Sequence, residues 1–271
     1  MDESMNKRIL KSGVHTFVIC AYKKSAYLEE CIQSLTKQSV LGEIIMITST
    51  PNEYIEGLAS KYNIRLYVNT GEGGIAQDWN FGVSKCKSRY VTIAHQDDVY
   101  EEDYLKDVLA AIRRSRNPII TFTDYGEIRD GQKVLKSRML MVKRLLLMPL
   151  RIKAFSGSRF VKRRVLSLGN PICCPSVTYC MERLKQPIFE VKYGSNLDWQ
   201  TLAVLASQDG EFVYVKRPRM YHRIHRESTT SGLIENHERG REDMEMLGQF
   251  WPKPIAKLIG KAYSKGENLN K

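Results

Sequence analysis

Apolar positions in the first half of the chain follow two periods in turn. Short runs of consecutive apolar and β-branched residues, typical of buried strands, alternate with stretches in which apolar residues recur every three or four positions, as on one face of a helix. The runs predict strands at residues 16–21, 43–48, 65–68, 90–94 and 119–123, and the periodic stretches predict helices at residues 25–38, 52–62, 75–86 and 104–114. This alternation predicts an α/β fold with a mainly parallel sheet that is covered on both faces.

The second half of the chain has a less regular pattern. Strand character returns at residues 172–180 and 211–215, a helix is predicted at residues 197–206, and an amphipathic helical tail interrupted at Trp251–Pro252 follows residue 235. We expect the second half to complete the sheet of the first half. Ser25 and Asn52 stand at the start of the first two predicted helices and are expected to cap them.

Length and composition limit the class of protein. With 271 residues, of which 42% are hydrophobic, the chain can form one large α/β domain or two small ones. No run of about 18 apolar residues predicts a transmembrane helix, and residues 1–8 lack the basic-then-apolar order of a signal peptide. Six cysteines without a Cys-x-x-Cys pair predict reduced thiols and argue against a zinc site. We therefore expect a cytoplasmic protein.

The net charge of +12 is concentrated in one segment. Residues 131–181 contain no acid, and a basic segment at residues 131–168 holds eleven bases: Lys133, Lys136, Arg138, Lys143, Arg144, Arg151, Lys153, Arg159, Lys162, Arg163 and Arg164. Apolar residues are interleaved with them, which favours contact of residues 133–164 with an anionic membrane surface at the inner face of the membrane. A folded helix with solvated bases is the main alternative. No nucleic-acid-binding motif accompanies the segment, so nucleic acid is not a predicted partner.

Two adjacent acids, Asp97 and Asp98, directly follow the predicted strand at residues 90–94. Side chains at the carboxyl end of a buried strand face the crevice where α/β sheets bind ligands. Neighbouring carboxylates repel each other unless a cation compensates them, and Mg²⁺ takes carboxylate and phosphate oxygens together. Metal–nucleotide binding is therefore one interpretation. The other is that the two acids cap the helix that begins near Glu102.

Five segments in order resemble glycosyltransferase family 2, over roughly residues 14–232. They are Tyr22 with residues 27–39, the glycine turn and Asn-x-Gly helix at residues 69–82, residues 96–98 at the place of an Asp-x-Asp element, residues 195–199 with a motif that carries a catalytic base, and a late His-containing segment at residues 223–230. The resemblance implies a GT-A fold, a nucleotide-sugar donor, which we take to be a UDP-sugar, and inverting transfer. It also implies a nucleotide-sugar-binding half at residues 14–125, an acceptor-binding half at residues 126–232, and a helical tail at residues 233–271.

The resemblance further implies a set of site residues. The donor-binding candidates are Ala21, Tyr22, Ser49, Gly73, Gly74, Asn80, Gln96 and Asp97. The candidate ligands of a divalent cation, Mn²⁺ or Mg²⁺, are Asp97, Asp98 and His225, whereas His222 is expected to be structural. A role in the fold is the alternative for several of them: a buried Tyr22, a simple turn at Gly73 and Gly74, a structural Asn80 and a surface His225.

Asp198 is the candidate catalytic base, because the motif places a carboxylate there and deprotonation of an acceptor hydroxyl needs one within reach. An N-cap or first-turn acid is its alternative. Trp199 is expected to stack on the acceptor sugar, with a buried core position as the alternative.

The chain also departs from the family pattern at two places. His95 occupies the position of the first acid of the Asp-x-Asp element, so that His95 or Asp98 is expected to replace it. Residues 48–51 hold hydroxyls, including Ser49, where the family often has an acid that contacts the nucleotide base.

The predicted function is sugar transfer to a glycan or lipid-linked acceptor in bacterial-type surface polysaccharide synthesis. The departures motivate the alternative of a non-catalytic carbohydrate- or membrane-binding protein. A nucleotidyltransferase is disfavoured, because residues 22–25 contain no glycine.

Overall fold

One mostly parallel sheet organises the protein. The computed structural model describes residues 8–9, 13–225 and 238–268, and within them nine strands form this sheet in the order β5-β4-β2-β6-β10-β8-β11-β7, with β9 paired to β8. The strands are β2 (His15–Cys20), β4 (Glu43–Thr48), β5 (Arg65–Val68), β6 (Tyr90–His95), β7 (Val99–Tyr100), β8 (Pro118–Arg129), β9 (Gln132–Val134), β10 (Val177–Cys180) and β11 (Glu211–Ile224). A short parallel pair, β1 (Arg8–Ile9) with β3 (Val40–Leu41), lies apart from it.

The parallel strands bring the candidate residues to one edge. β2 pairs in parallel with β4 and β6, so that Cys20 lies opposite both Ile47 and His95. The carboxyl ends of these three strands therefore open into the same crevice, where α/β sheets bind ligands. β10 is antiparallel to β6 and β8, and β11 returns parallel to β8. The second half completes the sheet of the first, as predicted.

Helices cover both faces of the sheet. They are α1 (Leu28–Thr36), α2 (Glu53–Lys61), α3 (Ile75–Ser84), α4 (Tyr104–Arg114), α5 (Arg138–Leu146), α6 (Arg159–Val165), α7 (Leu197–Ala206), α8 (Glu238–Gly248) and α9 (Lys253–Asn268). Alternate residues of β2 enter different cores: Phe17 and Ile19 pack with α1, α2 and α4, whereas Val18 packs with α3, α7 and α8. This is the two-faced burial that a parallel sheet requires.

The helix caps were only partly predicted. Asn52 caps α2, because its side chain accepts a hydrogen bond from the Ile55 N–H. Ser25 does not cap α1, which begins later, at Leu28, without a side-chain cap. The Ser25 hydroxyl instead donates to Asp97 at 2.7 Å. A serine that the sequence pattern assigns to a local cap is thus used for a long-range contact.

Two neighbouring strands, β8 and β11, are much longer than predicted. β8 and β11 pair along most of their lengths, with irregularities around Pro218. The bases at residues 216–219 interrupt the apolar pattern, so periodicity alone ended this strand at residue 215. β11 nevertheless continues through this polar stretch, because its backbone N–H and C=O groups pair with those of β8. The predicted strand at 172–180 is shorter, because a 3-10 turn at Cys174–Ser176 precedes β10.

The helical tail packs onto the domain. Its break lies at Trp251–Pro252 as predicted, between α8 and α9. Met246, Leu247 and Ala256 belong to the same core as α3 and α7. None of the helices in the described ranges is both long and apolar enough to cross a membrane. The six cysteines are free thiols, as expected.

A glycine pair in two helices tests the packing of α3 on the sheet. A Cβ at Gly82 would lie 2.6 Å from Val18 Cγ1, whereas a Cβ at Gly57 in α2 would meet nothing within 4 Å. We expect Gly82→Ala to destabilise the protein by about 1–3 kcal/mol through overpacking. Gly57→Ala, which gains helix propensity without a clash, should be neutral or stabilising by up to about 1 kcal/mol. Urea unfolding of both variants checks this; equal midpoints would show that α3 can shift away from β2.

Candidate active site

The turn after β6 carries Gln96, Asp97 and Asp98. Gln96 joins this turn to the end of β2: its Oε1 accepts from the Tyr22 N–H at 2.9 Å, and its Nε2 donates to the Tyr22 carbonyl at 3.1 Å. The Tyr22 ring stays outside this exchange and is 49% exposed. The buried alternative for Tyr22 is therefore wrong. Its ring lies where a planar ligand at the carboxyl edge of the sheet can stack on it.

Asp98 is turned into the protein. Its Oδ1 accepts from His222 Nδ1 at 2.9 Å and from the Arg223 N–H at 2.9 Å. Burial by itself would raise the pKa of Asp98, but the charge and hydrogen bond of His222 hold it below its usual range. Burial lowers and Asp98 raises the pKa of His222, and the net change is upward, so the imidazolium is favoured beside the carboxylate. His222, expected to be structural, is thus tied to one of the candidate metal ligands.

Two expectations about this turn are corrected. Neither Asp97 nor Asp98 caps α4, since that helix begins at Tyr104 with Asp103 before it. The carboxylate of Asp98 is enclosed by its two donors, and its Oδ2 is buried 3.8 Å from His95 Nδ1. Asp98 therefore does not present itself to a ligand in the crevice.

The His95 side chain is partly exposed, but its Nε2 atom is buried. Its ring stacks on buried Trp79 at a centroid distance of 5.0 Å, and burial lowers its pKa. A neutral imidazole against the sheet core does not replace the missing outward acid.

Asp97 is the acid that faces outward. It is partly exposed; its Oδ1 accepts from the Ser25 hydroxyl, and its Oδ2 lies 3.3 Å from His225 Nε2. The His225 ring packs against the Tyr27 ring at 5.1 Å, which orients it toward the acid. The structure thus brings together two of the three candidate metal ligands, Asp97 and His225. Residues 226–230 of the same motif lie outside the described residues.

A metal ion fits this pair in chemical type. No preassembled group of three His, Cys, Asp or Glu side chains occurs among the described residues. One carboxylate oxygen and one imidazole nitrogen suit Mn²⁺, and a metal bound with a nucleotide takes many of its other ligands from phosphate and water. Asp97 and His225 are the residues that would hold it.

Arg223 stabilises the turn at residues 96–98, which we call the acid turn. The sequence analysis did not predict this role. This buried arginine donates from Nε to the Asp97 carbonyl at 2.9 Å and from a terminal nitrogen to the Glu30 carboxylate. Its guanidinium lies 4.3 Å from the centroid of the Tyr27 ring. α1, the acid turn and β11 are thereby locked together. A buried arginine almost always needs a carboxylate partner, but the sequence does not say which acid supplies it.

Asp78 supplies an acid where the chain lacks one after β4. Its Oδ2 accepts from the Ser49 hydroxyl at 2.7 Å, and its Oδ1 accepts from Asn69 Nδ2 at 2.7 Å. Gly73 lies beside Ser49, and Gly74 has a φ of +147°, in the region that favours glycine. The glycine turn therefore folds over the Ser49–Asp78 pair. Asp78 sits on α3 and was missed because its local pattern is that of a helix interior.

Asn80 has the structural role that was left open as its alternative. Its Oδ1 accepts from the N–H groups of Ile188 and Phe189, and its Nδ2 donates to the Phe189 carbonyl. These three hydrogen bonds fasten residues 188–189 to α3, so the described contacts of Asn80 are structural. Ala21 is buried and its N–H donates to Ile47, so its side chain does not face the crevice.

Asp198 lies in the first turn of α7. Its Oδ2 accepts from Asn170 Nδ2 at 2.8 Å, and Asn196 holds the N-cap position. Desolvation raises the pKa of Asp198, although the positive charge of Lys143 lowers it in part. A raised pKa brings a carboxylate closer to the range in which a general base works best. Burial is the main cause that raises the pKa of the Cys174 thiol, and the negative charges of Asp198 and, to a smaller extent, Asp98 raise it further.

Trp199 is a core residue, which corrects the expectation of sugar stacking. It is 1% exposed, its Nε1 donates to the Leu166 carbonyl at 3.0 Å, and its ring stacks on Phe250. Phe250 lies in the segment after α8. The residues next to Trp199 in the sequence therefore do not indicate that its ring is covered.

Helix α8 holds the loop that leads to Asp198. The Glu242 carboxylate accepts from the N–H groups of Gly194, Ser195 and Asn196 and from the Ser195 hydroxyl, at 2.7–2.9 Å. Asp243 accepts from Asn196 Nδ2 at 2.7 Å. The tail thus fixes the loop that precedes Asp198, a long-range role that its amphipathic pattern did not indicate.

The sequence matches a known family. Residues 16–183 match the model described as Glycosyl transferase family 2. Glycosyltransferase GlyG of Streptococcus pneumoniae serotype 4 is 27% identical over 128 residues, which are 44% of this chain and 42% of GlyG. The chain therefore spans less than half the length of this curated relative.

Solved structures share the architecture. TarS 1–349 of S. aureus superposes with a TM-score of 0.59 at 15% identity, covering 91% of this chain and 69% of that chain. Glucosyl-3-phosphoglycerate synthase from Mycobacterium tuberculosis, with Mn²⁺ and UDP-glucose, superposes with a TM-score of 0.61 at 14% identity, covering 88% of this chain and 80% of that chain. These similarities confirm the predicted GT-A fold.

Glu242 provides a pH-dependent test of the α8 contact. Burial raises its pKa, but the four donors more than offset this and hold it below its ordinary 4.5. A lowered folded-state pKa stabilises the protein above the unfolded-state value, and this contribution is lost as the pH falls through the folded-state pKa. We expect Glu242→Gln to cost about 1.5–3 kcal/mol at pH 7, with a smaller difference from wild type near pH 3.

The matched control is Glu245→Gln on the exposed side of the same helix, where Glu245 pairs with Lys192; it should leave the unfolding midpoint nearly unchanged. Urea unfolding at both pH values measures the effect. A loss for Glu242→Gln that does not shrink in acid would contradict the charge-based account.

Proposed function

The chain belongs to glycosyl transferase family 2, and from this premise we propose that it transfers a sugar from a UDP-sugar, with inversion, to a glycan or lipid-linked acceptor in bacterial-type surface polysaccharide synthesis. The observation that carries the proposal is the acid turn. It presents Asp97 outward beside exposed Tyr22 and opposite His225, where three parallel strands end. That arrangement suits a planar base next to a diphosphate. We place the protein in the cytoplasm, against the inner face of the membrane.

Relatives of the same fold support the donor class. S. aureus TarS 1–349 has been solved with UDP-GlcNAc, and the M. tuberculosis synthase with Mn²⁺ and UDP-glucose. In this chain, Tyr22 would stack on the base, and the Ser49–Asp78 pair beside Gly73 and Gly74 would border the nucleoside. Residues 14–125 would thus form the donor half, and residues 126–232 the acceptor half.

A divalent cation, Mn²⁺ or Mg²⁺, would be held by Asp97 and His225 and would neutralise the leaving diphosphate. Arg223 fixes the Asp97 backbone through Nε, and Ser25 fixes one oxygen of its carboxylate, so the second oxygen is directed toward His225. Asp98, one residue away, stays with His222 and keeps the turn in place.

Asp198 would act as the base. As the acceptor oxygen bonds to the anomeric carbon, the bond from that carbon to the diphosphate oxygen breaks, and its electron pair leaves with the diphosphate. The proton of the acceptor hydroxyl passes to the Asp198 carboxylate. A single displacement of this kind inverts the anomeric centre. The hydrogen bond from Asn170 orients the carboxylate, and its raised pKa suits proton uptake.

Asp97 is tested by nucleotide binding. Titration calorimetry of UDP with Mn²⁺ should show binding to wild type, and Asp97→Asn should weaken it by at least about tenfold. The variant keeps an oxygen for the Ser25 hydroxyl, so its thermal stability should change little. Asp209→Asn, an exposed acid outside the candidate site, is the control. Equal affinity of wild type and Asp97→Asn, with or without metal, would overturn the assignment.

Asp198 is tested by turnover. Asp198→Asn can still accept a hydrogen bond from Asn170 but cannot take up a proton at neutral pH. We expect a fall in kcat of roughly 10²–10⁴-fold, with UDP binding and thermal stability close to wild type. The assay measures UDP release from UDP-sugars with acceptor present. A stable variant with wild-type turnover would show that Asp198 is structural, and a wild-type protein that binds UDP-sugars without transfer would favour the non-catalytic alternative.

A further inference from the structure

Helix α5 exposes apolar side chains on its outer face. Met141, Val142 and Leu145 have helical spacing and are 63%, 46% and 64% exposed. The chain continues through two 3-10 turns, Met148–Arg151 and Lys153–Phe155, in which Met148, Ile152 and Phe155 are also exposed. We name these six residues, Met141, Val142, Leu145, Met148, Ile152 and Phe155, the apolar ridge. Soluble proteins seldom expose so many large apolar side chains in one stretch unless they bind a partner.

The ridge is held rigidly from below. On the inner face of α5, Leu140 is buried and Lys143 donates to the Tyr125 hydroxyl at 2.8 Å. Arg144 donates to Asp124 Oδ2 at 2.7 Å and to the carbonyls of Tyr125 and Leu135. The outward apolar face is therefore the consequence of a helix anchored by its polar side, the reverse of an ordinary surface helix.

Several bases of the segment are buried or are paired with groups of the protein. Besides Lys143 and Arg144, Lys162 is buried and donates to the carbonyls of Gln208 and Gly210 at 2.7 Å. Arg159 pairs with Asp209, and Arg163 donates to the Gln249 carbonyl. The basic segment as a whole is thus not one cationic face. Only part of residues 133–164 is therefore available for the expected contact with an anionic membrane surface.

A basic groove lies next to the ridge. It has a volume of about 470 Å³ and is formed by the end of α4, residues 150–156 and the first part of β11. Five bases line it: Arg114, Arg151, Lys153, Lys216 and Arg217. Two of these, Arg151 and Lys153, flank Ile152 of the ridge, so groove and ridge are continuous.

Both acids in the groove wall are already engaged. Asp107 accepts from Arg219 Nε at 2.7 Å, and Glu211 accepts from the Ser115 hydroxyl at 2.7 Å. Lys153 uses one of its donors on the Arg114 carbonyl. The excess of bases leaves the groove cationic and suited to a phosphate group.

We propose that the apolar ridge and the basic groove form one docking surface for an anionic lipid bilayer, with the ridge entering the headgroup region and the groove binding a lipid phosphate. Charge complementarity selects this partner: exposed apolar side chains bordered by bases, without a free acid beside them, match the surface of an anionic membrane. Nucleic acid offers phosphates but no apolar phase for the six ridge side chains.

The docking surface also relates to the acceptor side of the site. Lys143, on the inner face of α5, lies close enough to Asp198 to lower the pKa of that carboxyl in part. The same helix thus carries the outward ridge residues and a base whose charge reaches Asp198. If the proposed sugar transfer holds, docking brings a lipid-linked acceptor to Asp198; the docking itself does not depend on transfer.

The test is co-sedimentation of the full chain with vesicles of equal parts phosphatidylglycerol and phosphatidylcholine, compared with phosphatidylcholine alone. We expect binding to the anionic vesicles at low salt, little binding to the neutral ones, and a decline as salt rises. Leu145→Ser should lower the partition coefficient about tenfold or more. Leu258→Ser, at an equally exposed leucine on α9 (71% exposed), should leave it unchanged.

The paired variant Lys216→Gln/Arg217→Gln should also weaken binding by about tenfold or more. Thermal unfolding checks that all variants fold. Three results would overturn the proposal: no binding to anionic vesicles at low salt, equal loss for Leu145→Ser and Leu258→Ser, or a wild-type dimer in sedimentation that Leu145→Ser dissociates. A fourth result would also exclude the bilayer. The protein would bind water-soluble glycerol phosphate, and neither the ridge variant nor the groove variant would lose any binding to vesicles.

Discussion

The buried contact of Asp98 with His222 and the Arg223 backbone joins the two halves of the molecule. One carboxylate oxygen receives both hydrogen bonds, and the residues it connects are more than 120 positions apart. The Asp98 carboxylate is buried and therefore depends on these donors rather than on solvent, whereas the His222 side chain is partly exposed. The end of β6 and the end of β11 are thereby kept at a fixed distance. The position of every side chain on the acid turn depends on this contact.

Two adjacent acids consequently have different tasks. Because Asp98 is enclosed, the extended turn directs Asp97 the other way, toward Ser25 and His225. Arg223 contributes to both, since its backbone N–H binds Asp98 and its side chain binds the Asp97 carbonyl and Glu30. The repulsion expected of neighbouring carboxylates is thus avoided by separating them between interior and crevice. One acid maintains the geometry that the other presents to a ligand.

The surroundings of Asp198 are built by segments that are distant in sequence. Asp198 lies on α7, but the loop before it is bound by Glu242 and Asp243 of α8, and Trp199 packs on Phe250. α5 adds Lys143 from its polar inner face while its outer face remains apolar. The position of Asp198 therefore depends on contacts between α7 and the C-terminal helices.

The amino-acid sequence by itself determined the strands and helices of the first half and the chemistry at the ends of its strands. Local periodicity is enough there: α4 has its predicted bounds, and Gln96, Asp97 and Asp98 follow β6 directly. Only the tertiary structure decided which side chains meet. Asp98 turns inward because His222 arrives from β11, Ser49 gains an acid because α3 places Asp78 beside it, and Asn80 and Trp199 are used up by residues 188–189 and by Phe250. These pairings depend on contacts between distant segments, and a pattern read over a few neighbouring residues carries no information about the partner that burial will supply.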